Sequence, residues 1–195
     1  MKRTAILGTL ICFLGLPVVV AQAPDAGMVT LFDGSHLNNF NVVGTANWKL
    51  ADGVVEATSG SGYLVSKESF ADFEIRVEFW VDSGANSGVY MRCQDANSIT
   101  DKTCYEANVS DNPSDQARRT GAIVHVAKPL ATVYAGGKWN TYEITAKGPQ
   151  LTVRLNGTLT AQVEDSRLTS GPIALQYYVG TGGALRIRRV QIRRL

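Results

Sequence analysis

The chain has 195 residues, 45% of them hydrophobic and 18% charged, with a formal net charge of +2. That length fits one ordinary globular domain and is short for two large ones, and the hydrophobic share excludes a disordered chain. A charge so near zero argues against a nucleic-acid partner, which requires a basic domain or stripe, while 19 glycines against 6 prolines, without a repeat, point to turns between short elements.

The chain opens as an export signal. Lys2 and Arg3 form a basic start, Thr4 to Val20 is an apolar run, and Ala21-Gln22-Ala23 is a small-x-small site, so cleavage is expected after Ala23. The run is short for a span of about 20 residues, and polar Pro24-Asp25 follows at once. A secreted or periplasmic domain over 24–195 is expected, with no membrane attachment after cleavage. Loss of Lys2 and Arg3 lowers the basic count from 19 to 17 against 17 acidic residues, a net charge of zero that suits an uncharged ligand such as a sugar. Cys93 and Cys104 remain, and an even count in an exported chain predicts a disulfide.

The strands are expected in the following order. Asp52-Gly53 reads as a hairpin turn between Trp48-Lys49-Leu50 and Val54-Val55-Glu56. Phe73, Ile75, Val77, Phe79 and Val81 alternate with polar residues and Trp80, the period-2 pattern of a half-buried strand. Gly88 to Cys93, Tyr105 to Val109 and Gly121 to Val126 read as further strands. Tyr142, Ile144 and Ala146 repeat the alternation, then Leu151, Val153 and Leu155, with a turn at Lys147-Gly148-Pro149-Gln150. Asn156-Gly157 predicts a hairpin into Thr158 to Val163, and Pro172 to Val179 and Leu185 to Ile192 follow. The last strand breaks alternation near Arg188-Arg189, which predicts a bulge. Its arginines, Arg186, Arg188, Arg189, Arg193 and Arg194, read as a charged edge that discourages pairing with another chain. Roughly ten to twelve short antiparallel strands with glycine turns predict an all-β sandwich or barrel in one domain. The longest irregular stretch, Gln94 to Arg119, is interrupted only by Tyr105 to Val109 and is rich in Asn, Asp and Ser. Loops of that length tend to be functional.

Candidate chemistry groups in the middle of the chain. Tyr90 and Arg92 share one face of their strand, and Glu106 and Asn108 share one face of theirs. If the two strands lie side by side, Arg92 falls near Glu106, with Asn86 and Asp111 close by. His125, between Val124 and Val126, is expected on the polar side of its strand and is a further catalytic candidate. No metal triad, GxSxG elbow or phosphate-binding glycine loop is present. Carboxylates and a histidine are available to a divalent metal, but no ligand spacing identifies a site, and no other cofactor is indicated.

Taken in order, LFDGSHLNNF at 31–40, DGVVEA, GYLVSKESFADFEIRVEFWV, NSGVYMR at 86–92, YEANVSDN at 105–112, TGAIVHV, KWNTYEITAKG, LTVRLNGT and GPIALQ resemble the 3-keto-disaccharide hydrolase domain family. The resemblance covers nearly all of 28–195 and implies a concanavalin A-like jelly roll acting on glycosides already oxidised to the 3-ketone. It implies that Glu106, in the YE motif, is the base or a metal-binding carboxylate, and that Arg92 stabilises the enolate or orients the sugar. Asp111 and Gln176 match family positions facing the substrate, whereas Asn108 stands where the family often has Gln and Val124 where Tyr is common. The same fold serves lectins, so a non-catalytic carbohydrate-binding module is the alternative expectation.

Overall fold

The computed structural model describes residues 27–178 and 182–195, so the expected signal and its cleavage site lie outside the described residues. Strand β6 (Phe73–Val81) sets the architecture: every second side chain is buried, and the polar set between them faces outward. The same alternation recurs in β9 (Trp139–Lys147), β10 (Gln150–Leu155) and β13 (Leu185–Arg194). With β11 (Thr158–Glu164), β3 (Lys49–Ala51) and β4 (Val54–Ala57), they form an antiparallel sheet in the order β11-β10-β9-β6-β13-β4-β3. A short strand β1 (Val29–Phe32) also pairs with β13.

A second, five-stranded antiparallel sheet faces it. Its order is β2 (Phe40–Gly44), β5 (Ser61–Phe70), β12 (Gly171–Tyr178), β7 (Asn86–Met91) and β8 (Tyr105–Val109). Between the sheets lies one apolar core, in which Ile75, Val77, Tyr142, Ile144 and Val153 meet Leu64, Met91, Ala107 and Leu175. The expected jelly-roll sandwich is thus observed, with thirteen strands among the described residues.

The turns follow their residues. Asn156 and Gly157 have φ values of 52° and 79°, and Asp52 and Gly53 have 52° and 75°, the left-handed pairs of a type I′ turn. The register between β13 and β6 shifts between Ile187 and Arg189, where the bulge is expected.

Three features depart from simple strand patterning. First, β13 is not an edge strand, because β6 pairs with one side of it and β4 and β1 with the other. Its arginines instead cover the outer face: Arg186 lies 4.4 Å from the Trp80 ring centroid and pairs with Glu56, and Arg188 stacks on Trp139 and pairs with Glu78. Second, β5 carries no alternation, because Leu64, Val65 and Ser66 are all buried in a strand covered on both faces. Third, Gly121 to Val126 is a turn rather than a strand. Gly121 and His125 have φ values of 89° and 61°, and Ile123 bridges Ala127 and Ala107.

Candidate active-site cleft

The outer face of the five-stranded sheet is only partly covered. At one end the segment after β7 folds back over it, so Ile99, Cys93 and Cys104 pack with Val65, Tyr90 and Ala174 in a second apolar cluster. Cys93 and Cys104 are brought together at the base of this loop with Cα atoms 4.2 Å apart. The rest of the face is an open cleft of about 600 Å³.

Strand register places the cleft's polar groups. Gly88 sits opposite Asn108 and Tyr90 opposite Glu106, while Gln176 of β12 lies opposite Gly88. Side chains alternate across a sheet, so Tyr90, Glu106, Asn108 and Gln176 all project to the outer face while Met91, Ala107 and Leu175 enter the core. Glu106 is 4% exposed, and the Tyr90 hydroxyl donates to its carboxylate. Gln176 Nε2 in turn donates to the Tyr90 oxygen at 3.0 Å and to the Tyr63 oxygen at 3.3 Å. The two tyrosine rings meet edge to face at 5.4 Å. Gly88 leaves the space this chain occupies, since a Cβ there would stand 2.9 Å from Glu106 Oε1 and 3.3 Å from Tyr90 Cε2.

Burial dominates the electrostatics. It pushes the Glu106 carboxyl up from 4.5 to about 7, against the Tyr90 hydrogen bond that favours the anion; Asp101 raises it further and Arg118 lowers it. Burial and the neighbouring Glu106 also hold the Tyr90 phenol well above its usual range, so it stays a donor. A carboxyl poised near neutrality can take and return a proton at physiological pH.

The expected site residues divide. Asn86, Tyr90, Glu106, Asn108 and Gln176 all line the cleft. Arg92 does not approach Glu106. Its φ of 52° ends the strand after Met91 and turns the side chain into one end of the sandwich, where it is 1% exposed. There Nε donates to the Ala71 carbonyl, Nη1 to the Gly148 and Leu168 carbonyls, and Nη2 to Asp72. Asp111 is likewise occupied: its carboxylate accepts from Thr120 Oγ1 at 2.7 Å and from the Ala135 and Gly136 amides, tying three loops together. His125 sits on the turn outside the cleft lining, half exposed, with Nε2 3.1 Å from Asp101 Oδ2.

Two residues unmarked by any strand pattern take their place. Asp101, on the loop between the cysteines, and Arg118, on the short 3₁₀ turn Gln116–Arg118, both line the cleft and pair at 2.9 Å. Both fall in the long polar stretch 94–119, whose length is the signal that points to them. Among the described residues no group of three or more His, Cys, Asp or Glu side chains is placed to hold a metal ion.

Fold and cleft together define a jelly-roll sandwich with a polar-lined cleft on the outer face of its five-stranded sheet. The 3-keto-alpha-glucoside-1,2-lyase-like domain model matches residues 27–193, and the chain belongs to that family. A 3-keto-disaccharide hydrolase from Bacteroides thetaiotaomicron is 31% identical over 85 residues, which cover 37% of this chain and 29% of that protein's length. A solved Parabacteroides distasonis protein, described as a candidate glycosyl hydrolase, superposes with a TM-score of 0.74 at 25% identity, covering 86% of this chain and 99% of that one. Carbohydrate-binding module CBM66 from Bacillus subtilis shares the fold, with a TM-score of 0.59 at 16% identity over 77% of this chain and 93% of that one.

Proposed function

We propose that this protein is an exported enzyme, cleaved after Ala23, that breaks 3-keto-glycosides by elimination and hydration. The observation that carries the reading is Glu106: a carboxyl at the floor of an open, polar cleft, buried, held by Tyr90, and poised near neutrality. A ketone at C3 acidifies the C2 proton. Ionised Glu106 removes it, and the C2–H electron pair becomes the C2=C3 bond of an enolate. Re-forming the C3 carbonyl drives the pair into a C1=C2 bond, and the C1–O bond breaks with its electrons on the leaving oxygen, which takes the proton from Glu106 and returns that carboxyl to its ionised form. Water then adds across C1=C2, oxygen to C1 and hydrogen to C2, so the net change is hydrolysis. Tyr90 and Gln176 orient the base, a supporting chain of two hydrogen bonds.

Membership of the family and the named activity of the Bacteroides relative support the substrate class. The test is a chromogenic 3-keto-glucoside beside its unoxidised parent. Release from the ketone alone, lost in Glu106→Gln, is expected. Release from both at one rate overturns the proposal. A non-catalytic sugar-binding module is the second reading, favoured by Tyr178, 46% exposed at the cleft, as a surface for a sugar ring; saturable binding with no turnover would support it.

A further inference from the structure

The reaction proposed above needs a group that stabilises negative charge on the C3 oxygen, and Arg92, the family-position arginine, is consumed by the fold. We infer that Arg118 carries that charge and that Asp101 is its positioning residue; the inference rests on the elimination reading.

Among the described residues Arg118 is the single cationic side chain lining the cleft, alongside the acidic Asp101, Glu106 and Asp115. Three neutral donors beside Glu106 are committed: Tyr90 donates to Glu106, Gln176 to the two tyrosines, and Asn108 to the Arg118 carbonyl. Arg118 is anchored at both ends. Its carbonyl is held by Asn108, two residues along β8 from Glu106, and its Nη2 by Asp101 at 2.9 Å. Asp101 is the only side chain bonded to its guanidinium among the described residues, which leaves donors free toward the cleft, and the side chain is 44% exposed. An arginine keeps its proton throughout, so it contributes by charge and hydrogen bonds while Glu106 moves the proton. Asp101 belongs to the loop that the cysteine pair closes, which links that pair to the geometry of the cleft.

The experiment uses the mature chain and the chromogenic 3-keto-glucoside. Arg118→Ala is expected to lower kcat at least about 100-fold, the scale of a lost oxyanion donor. Added guanidinium chloride, below denaturing concentration, should restore part of it, because the half-exposed site admits the free cation. Asp101→Asn should lower kcat by about tenfold with little change in KM, since it loosens a transition-state contact. Wild-type kcat in Arg118→Ala, or a fall without guanidinium rescue in a variant that melts like wild type, overturns the inference. Failure of the elimination reading is separate: it appears as an inert wild type or an active Glu106→Gln. Loss in Glu106→Gln with full activity in Arg118→Ala removes Arg118 alone.

Discussion

Replacing Glu106 with Gln gives a stability signature that needs no substrate. In the folded chain burial raises this carboxyl from 4.5 to about 7. A group whose folded pKa lies above its unfolded value binds its proton more tightly when folded, so the contribution of Glu106 to stability is largest below about pH 4.5. It falls as pH rises through the window from 4.5 to 7 and levels off above it. The rise from 4.5 to about 7 corresponds to about 3 kcal/mol across the window. The variant keeps an acceptor for the Tyr90 hydroxyl and removes the titration. The difference between variant and wild type therefore moves in the variant's favour by about 3 kcal/mol between pH 4 and pH 8. Urea denaturation of both proteins at a series of pH values measures it, because every other titrating group cancels in the difference. A difference that stays flat from pH 4 to pH 8 refutes the argument that Glu106 is buried and perturbed.

Other substitutions separate the cleft from the scaffold. Gly88→Ala brings a methyl to 2.9 Å from Glu106 Oε1, so the base must shift; kcat should fall about 100-fold while stability changes by about 1 kcal/mol or less, read by kinetics and melting in parallel. Arg92→Ala leaves three backbone carbonyls without their donor and should cost about 3 to 5 kcal/mol in denaturation, while the turnover of the remaining folded protein stays within about twofold. Asp111→Ala removes acceptors for Thr120, Ala135 and Gly136 and should destabilise by about 3 kcal/mol, measured the same way. The Cys93–Cys104 pair should add two hydrogens to the intact mass on reduction, and Cys93→Ser with Cys104→Ser should lower stability by about 3 kcal/mol, the loop-closure scale for a segment this short.

What the sequence shows of this molecule follows from which faces are buried. Strands β6, β9 and β10 each hide one face and expose the other, so their alternation is plain. Strand β5 hides both, with Leu64 in the main core and Val65 beneath the loop of the cysteines, and so has no period to read. Glu106, Tyr90 and Asn108 were legible as faces of paired strands, and Gln176 through the family resemblance alone. Arg92 was misread because alternation assumes an extended backbone, and nothing in an arginine announces a φ of 52°. His125 fails for the same reason, at 61°. Asp101 and Arg118 lie in irregular segments, where residues far apart in sequence converge through loop contacts that no periodicity records.

The central claim is proton abstraction from C2 by Glu106, and isotope incorporation tests it most directly. Cleavage of a 3-keto-glucoside in D₂O, followed by NMR of the sugar product, should give 3-keto-glucose with deuterium at C2, and Glu106→Gln should form none above background. Aglycone release with the original hydrogen retained at C2 would contradict the account.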